Sequence, residues 1–415
     1  MSFNKPFFSH LASLFFTFLL FILQQPLFAQ KYKSKILNIS DLKSQSTILD
    51  SILSRPDYYR VQIQLTQVDR TKKGKVKLTD YAFRTDLNEY YYPASTVKFP
   101  IVLLSLQKLN ELAKPGLDMN SSMETGANRP SQTEVFNDPT SRDGRASVAQ
   151  YIKKILLVSD NDAFNRLYEM LGQEYINKSL QKNGYTKTQI KHRLSVSLPA
   201  EENRWTNPVS FYDTSCKLLF AQPAQYSRFS FPETTIKMGQ GYIDGNDSLV
   251  NAPFDFSNKN RFPLADLHGM LKQFIFPEYK TRFKKFNLTD ADRDFVMKYM
   301  SMVPRESDYP YYDSIRYPDN CAKFLYYGGP ARRKEEGLQM FSKAGDAYGF
   351  MIDAAYFKDT VNNVEFILSA IIYCNSDGIF NDDQYDYNTV GLPFMSELGR
   401  VILNGERLRK ARSKN

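Results

Sequence analysis

Strand-like alternation sits at the two ends of this chain and helical spacing fills the stretch between, a distribution that restricts the fold more than any other property. "DYYRVQIQLTQVDR" alternates Val61, Ile63 and Leu65 with polar residues, "TKKGK" reads as a turn and "YAFRTD" as a partner strand. Near the far end, "AYGFMIDAAYF" and "VEFILSAIIYCN" are β-rich runs joined by the polar "KDTVNN". "TVGLPFMSELGRVILNGERLRK" closes the chain as a helix. Between them, "ASVAQYIKKILLVS" and "DAFNRLYEMLGQEYINKSLQKNG" carry i, i+3, i+4 apolar spacing, the second ending at a glycine. "TDADRDFVMKYMSMV" is a further helix with Thr289 as its cap. Strands at both ends with helices between predict a mixed α/β body, an α+β sandwich with a mostly antiparallel sheet flanked by helices. The sheet domain is expected from residues 31–98 and 335–415, and an inserted α-rich domain from 99–334. Turn-rich sequence around 221–285 reads as an elaboration of that insert.

The first residues, "MSFNKPFFSHLASLFFTFLLFILQQPLFAQ", combine Lys5, an apolar run from Leu11 to Leu23 and a small residue, Ala29. That is the pattern of a secretory leader over residues 1–29, and the run is short for a membrane span. The expectation is an exported protein with no integral membrane span once the leader is removed. Cys216, Cys321 and Cys374 are an odd set that forms no disulfide framework, with any pairing among them left open. His192 and His268 are the only histidines beyond the leader, and nothing has zinc-ligand spacing, so no metal is expected. Phosphate-loop and dinucleotide glycine patterns are missing, so no cofactor is expected either. A net charge of +9 spread along 415 residues does not suggest nucleic-acid binding.

One lysine stands out. Lys98 interrupts the apolar run "YYYPASTVKFPIVLLSLQKL", residues 90–109. A buried lysine is costly unless its charge is paired or its pKa falls. Ser95 and Lys98 lie at i and i+3, on one face of a first helical turn. Phe99 to Leu106 is apolar except for Ser105, which predicts a buried helix, with Pro100 near its start. Ser95 is then at an N-terminus whose N–H groups favour a developing negative charge, beside a lysine able to act as its base. The spacing alone is weak. It recurs after the leader at Ser40/Lys43, Ser105/Lys108 and Ser179/Lys182, and an isolated case is explained by a snorkelling or ion-paired lysine.

Two further triplets change the weight. "LLVSDNDAFNRL" contains Ser159-Asp160-Asn161 at the junction of two helical patterns, and "LQMFSKAGDAYGF" presents Lys343-Ala344-Gly345 leading into a strand. In that order these elements mark the penicillin-recognising serine hydrolases. The chain resembles the class A β-lactamase family over most of its mature length, and "RWTNP" is similar to the segment closing that family's omega loop. The resemblance implies a β-lactamase/transpeptidase-like fold and an acyl-enzyme mechanism. Ser95 would attack a carbonyl, Lys98 would take its proton, and Ser159 would bridge Lys98 and Lys343 and protonate the leaving nitrogen. Asn161, Lys343, Gly345 and Asp346 would face substrate, Asn161 through its amide and Lys343 through its charge. The backbone N–H groups of Ser95 and Asp346 would hold the oxyanion. A β-lactam or peptidoglycan-like substrate and a periplasmic or secreted location in a bacterium are also implied, and Asp160 is expected to organise its own loop.

The sequence departs from that family in three places. Where the deacylating glutamate would align stand Arg193, Leu194 and Ser195; Glu201 and Glu202 follow and are the remaining carboxylate candidates for deacylation. Ala344 replaces the hydroxyl residue of the K-[ST]-G triplet, and Asp346 places a carboxylate beside the oxyanion site, able to pair with Lys343 or to receive an amine. The stretch from Pro208 to Lys343 is also long for the family. Acylation chemistry is complete in outline, whereas deacylation and carboxylate recognition are not. A D,D-peptidase, penicillin-binding-type or other serine amidase or esterase is therefore the alternative, and a non-catalytic envelope-binding protein of the same fold the third.

Overall fold

The structure, a computed structural model, describes residues 34–329 and 334–412, so the leader expected over 1–29 lies outside the described residues. Strands β1 (Lys35–Ile36), β2 (Gln62–Arg70) and β3 (Val76–Phe83) come from the start of the described chain. Short strands β4 (Ser122–Thr125), β5 (Val209–Tyr212), β6 (Leu218–Gln222), β7 (Lys237–Met238), β8 (Gly241–Ile243), β9 (Leu249–Val250) and β10 (Phe254–Asp255) lie in the middle. Strands β11 (Leu338–Ala347), β12 (Phe350–Asp359), β13 (Val364–Tyr373) and β14 (Ile379–Phe380) follow. The principal sheet has six strands in the order β1-β3-β2-β13-β12-β11, antiparallel except for the β1/β3 pair. Its centre is the β2/β13 pairing, where the two ends of the chain meet.

Period-two alternation assigns the sheet's two faces. On β12, Ile352, Ala354 and Tyr356 join one core, while Met351, Ala355 and Phe357 join the other. On β13, Ile367 and Ile371 oppose Phe366, Leu368, Ala370 and Ile372 in the same way. Helix α9 (Leu392–Arg412), with α1 (Ile39–Ser44) and α2 (Thr47–Leu53), covers the second face. Helix α7 (Leu264–Ile275) packs on β2, β12 and β13 across the first. Beyond it lie α3 (Lys98–Leu112), α4 (Val148–Val158), α5 (Asn161–Leu171), α6 (Gln173–Lys182) and α8 (Asp290–Ser301).

Three differences from the sequence pattern have local causes. The partner of β2 runs over Val76–Phe83, beginning five residues before the "YAFRTD" segment, because the turn at Gly74 (φ +76°) returns the chain directly into pairing. The long helical pattern from 162 to 184 is broken at Gly172 (φ +79°), where an added Cβ would meet Thr206 Cγ2 at 3.1 Å, so α5 and α6 are separate. Lys343-Ala344-Gly345 lies inside β11, the outer strand of the sheet, rather than ahead of a strand. Between β3 and β11 lie α3 to α8 together with strands β4 to β10, so the stretch expected to be α-rich also carries short strands. Helix α8 begins at Thr289, whose hydroxyl accepts from Asp292 N while the Asp292 carboxylate accepts from Thr289 N.

Candidate active site

Ser95 sits in a single 3-10 turn, Ala94–Val97, that feeds α3, whose first residue is Lys98. Pro100 falls in the first turn of α3, where no backbone donor is needed. Side chains from Phe99 to Leu106 are buried all round, so α3 is a central helix, and Lys98 is itself fully buried. Its Nζ lies 2.9 Å from Ser95 Oγ, 3.1 Å from Ser159 Oγ and 2.6 Å from Asn161 Oδ1, and also meets the Ser159 carbonyl. Burial, then the neighbouring Lys343 charge, hold the Lys98 pKa well below the ordinary lysine range, against the pull of Asp160 and Asp346. The charged form of Lys98 is thus disfavoured within hydrogen-bond reach of Ser95 Oγ.

Ser159 caps the end of α4 in the left-handed conformation (φ +59°), and Asp160 caps the start of α5 by accepting from Ala163 N at 2.8 Å. This tight junction turns Ser159 and Asn161 toward Lys98. A left-handed serine costs energy that the packing around it must offset. Lys343 Nζ reaches the same Ser159 Oγ at 2.9 Å and donates to Ala344 O at 2.6 Å. Burial lowers the Lys343 pKa to about 7 despite Asp353 and Asp346 nearby. Gly345 presses against Ser95: a Cβ there would stand 2.5 Å from Ser95 N. Only glycine allows the outer strand that approach. Asp346 follows it, exposed at the strand's end, with its carboxyl pKa raised by the protein that crowds it, against Lys343 and Lys98.

The structure thus brings Ser95, Lys98, Ser159, Asn161 and Lys343 into one hydrogen-bonded cluster, with Gly345 against it. Glu201 and Glu202 are not part of it. Glu202 is held by Arg129 at 2.5 Å and by Ser131, which lower its pKa to about 2, and Glu201 lies 3.3 Å from Tyr226 Oη. Among the described residues no carboxylate hydrogen-bonds to Ser95, Lys98, Ser159 or Asn161. The loop contributes Ser195, whose Oγ accepts from Asn161 Nδ2 at 2.7 Å. Arg193 is buried, bonded to Glu169 at 2.9 Å and to the Trp205 carbonyl. Ser195 has a positive φ, +55°, and a serine in that conformation has no signature in sequence. A third buried lysine, Lys323, has no signature in the sequence pattern. It donates to Met300 O, Met340 O and, at 3.3 Å, Ser342 Oγ, behind β11.

The competing Ser105/Lys108 pair shows why spacing is insufficient. Ser105 Oγ donates back to Ile101 O at 2.8 Å, while Lys108 Nζ is taken by Met170 O and Gln222 Oε1. Serine and lysine there serve separate partners. No group of His, Cys, Asp and Glu among the described residues could hold a metal ion, and no described helix is long and apolar enough to cross a membrane. Cys216 is exposed, Cys321 partly buried and Cys374 buried, all as free thiols.

Comparison with known proteins places these motifs. Residues 60–220, which carry Ser95, Lys98, Ser159 and Asn161, match the Beta-lactamase enzyme family. No curated protein matches the chain. Among solved structures, a beta-lactamase from Burkholderia ambifaria is 13% identical, covering 87% of this chain and 98% of that one at a TM-score of 0.44. A class A beta-lactamase from Clostridium kluyveri is 14% identical, with 86% and 97% covered and a TM-score of 0.46. The structure of PBP-A is 15% identical, with 89% and 98% covered and a TM-score of 0.48. The matched stretch makes the chain similar to the β-lactamase-like serine hydrolases over residues 60–220.

Proposed function

We propose that this enzyme is an exported serine acyl hydrolase that opens an amide, a β-lactam or a peptidoglycan-like bond, through an acyl-enzyme on Ser95. The observation that carries this reading is the 2.9 Å contact between Lys98 Nζ and Ser95 Oγ in buried surroundings that disfavour the charged form of Lys98. Lys98 takes the Ser95 proton as Oγ attacks the carbonyl carbon. Ser159, hydrogen-bonded to both Lys98 and Lys343, passes a proton to the leaving nitrogen. The oxyanion forms between the backbone N–H groups of Ser95 and Asp346, either side of the Gly345 contact. Asn161, oriented by Lys98 and Ser195, offers its remaining amide proton to the acyl half of the substrate.

A second reading is favoured by one specific arrangement: Glu201 and Glu202 are engaged elsewhere, so no carboxylate is in place to activate water for deacylation. An enzyme of this kind is acylated readily and released slowly, as a D,D-peptidase or penicillin-binding protein is. Intact mass after mixing with a penicillin and a chromogenic cephalosporin separates the two. A short-lived adduct with chromophore turnover supports hydrolysis of the β-lactam. A stable adduct missing from Ser95→Ala supports the trapped form. No adduct and no turnover rejects β-lactam recognition.

A further inference from the structure

The charges exposed to a bound substrate differ from those buried beneath it. Lys343 is 1% exposed, and its Nζ is committed to Ser159 Oγ and Ala344 O, so its charge faces inward. Ala344, also buried, supplies no hydroxyl. Asp346, three residues past Lys343 on the same strand, pairs with β12 through its backbone; it is exposed, and its carboxylate has no hydrogen bond or ion pair among the described residues. The strand places it next to Gly345, whose Cβ position lies 2.5 Å from Ser95 N, so its carboxylate stands at the rim of the reacting centre. The charged groups within its electrostatic reach are Lys343 and Lys98, both buried and both depressed in pKa. The free charge offered at this rim is therefore negative. With Ser159, hydrogen-bonded to Lys343 on β11, as the proposed donor to the leaving nitrogen, this rim borders the leaving half of the substrate.

Resting on the serine hydrolase reading above, we propose that Asp346 is a specificity-determining residue that favours substrates whose leaving half carries a cationic group, such as a protonated amine, over those whose leaving half carries a carboxylate, so that penicillins and cephalosporins are acylating but poorer substrates of the site. A carboxylate seated there would face an unpaired like charge in a partly dehydrated site, a repulsion that specificity commonly exploits. An ammonium group would complete the partner set of Asp346 instead.

Three thioesters sharing one acyl group and differing in the leaving thiol test this: mercaptoacetate, mercaptoacetamide and thiocholine. The expected order of kcat/KM is thiocholine, then mercaptoacetamide, then mercaptoacetate, with at least about tenfold between the extremes, a difference of about 1.4 kcal/mol. In Asp346→Asn the spread should collapse to within about threefold, and in Asp346→Lys the order should invert. Raising the ionic strength should narrow the wild-type spread. A wild-type preference for the mercaptoacetate ester, or an unchanged spread in Asp346→Asn, overturns the proposal. Binding of the same three esters to Ser95→Ala, measured by calorimetry, keeps the two readings apart. Turnover that does not depend on Ser95 sinks the hydrolase reading alone, whereas equal binding of the three esters sinks the role of Asp346.

Discussion

Asn161 donates its side-chain amide to the Ser195 hydroxyl at 2.7 Å, and through this one bond the helix junction at α5 is tied to the loop that crosses the site. The other end of the same amide accepts from Lys98 at 2.6 Å. A side chain two atoms longer than serine at position 195 would therefore reach the Lys98 neighbourhood. We predict that Ser195→Glu shortens the lifetime of the penicillin acyl-enzyme by about 10²-fold, because a positioned general base contributes on that order. Time-resolved intact mass is the measurement. An unchanged lifetime with normal acylation would mean that the loop holds residue 195 away from the acyl carbonyl.

Gly345 permits the outer strand to touch the nucleophile's backbone. Gly345→Ala would place a methyl group 2.5 Å from Ser95 N and push β11 outward. Acylation should fall by about 10²- to 10³-fold, the loss seen when one oxyanion donor is removed. Thermal stability should change far less, since β11 keeps its full ladder with β12. Single-turnover acylation and a melting curve on the same sample separate these effects.

Glu169 lies between Arg166 at 3.2 Å and Arg193 at 2.9 Å, with all three side chains at most 7% exposed. Removing the carboxylate leaves buried guanidinium charge uncompensated. Glu169→Ala should cost about 3–5 kcal/mol, whereas Glu169→Met combined with Arg193→Met should cost less, since replacing a whole buried pair is cheaper than breaking it. Urea titration reads both. Equal losses would mean the packing of Arg193, rather than its charge, matters.

Two buried lysines give stability an alkaline slope. Burial lowers Lys343 to about 7 and Lys323 to about 8, from 10.5 in the unfolded chain. Between those values the unfolded chain binds more protons than the folded one, so stability rises with pH from about 7 toward 10. Below 7 both states are protonated and these lysines contribute no slope. The buried Asp353, raised to about 6, acts in a separate window, where stability declines between 3.8 and 6 as pH rises. The urea midpoint should therefore increase from pH 7 to 9.5 and do so less steeply in Lys323→Met. A flat profile in the parent protein would contradict the assignment.

Much of this arrangement is legible in the sequence, and the reason is local. Lys98 is conspicuous because an apolar helix surrounds it, and Ser159-Asp160-Asn161 because a cap residue there fixes two helix ends at once. The sheet was visible as alternation in β2, β12 and β13, which bury different faces. What stayed hidden depends on contacts between distant segments. Nothing near Glu202 in sequence announces that Arg129 and Ser131 will hold it away from the nucleophile. Ser195 enters the site through a left-handed backbone conformation that serine rarely adopts, and Lys323 is buried only because β11 folds over it. The break at Gly172 escaped because the apolar spacing continues unbroken across it, although the backbone does not.

The pairing of β2 with β13 has a consequence for how this enzyme comes into being. Ser159 and Lys343 meet across 184 residues of chain, and the strand carrying Lys343 can join the sheet only through β12 and β13. A ribosome releases the nucleophile, its lysine and the whole helical region before any of those strands exist. Throughout that interval β2 and β3 form a hairpin with an open flank, the kind of edge that pairs wrongly with other chains. The contact between Ser159 and Lys343 thus waits for the last fifth of the polypeptide, and the strands that close the exposed edge are the same ones that bring Lys343 to it.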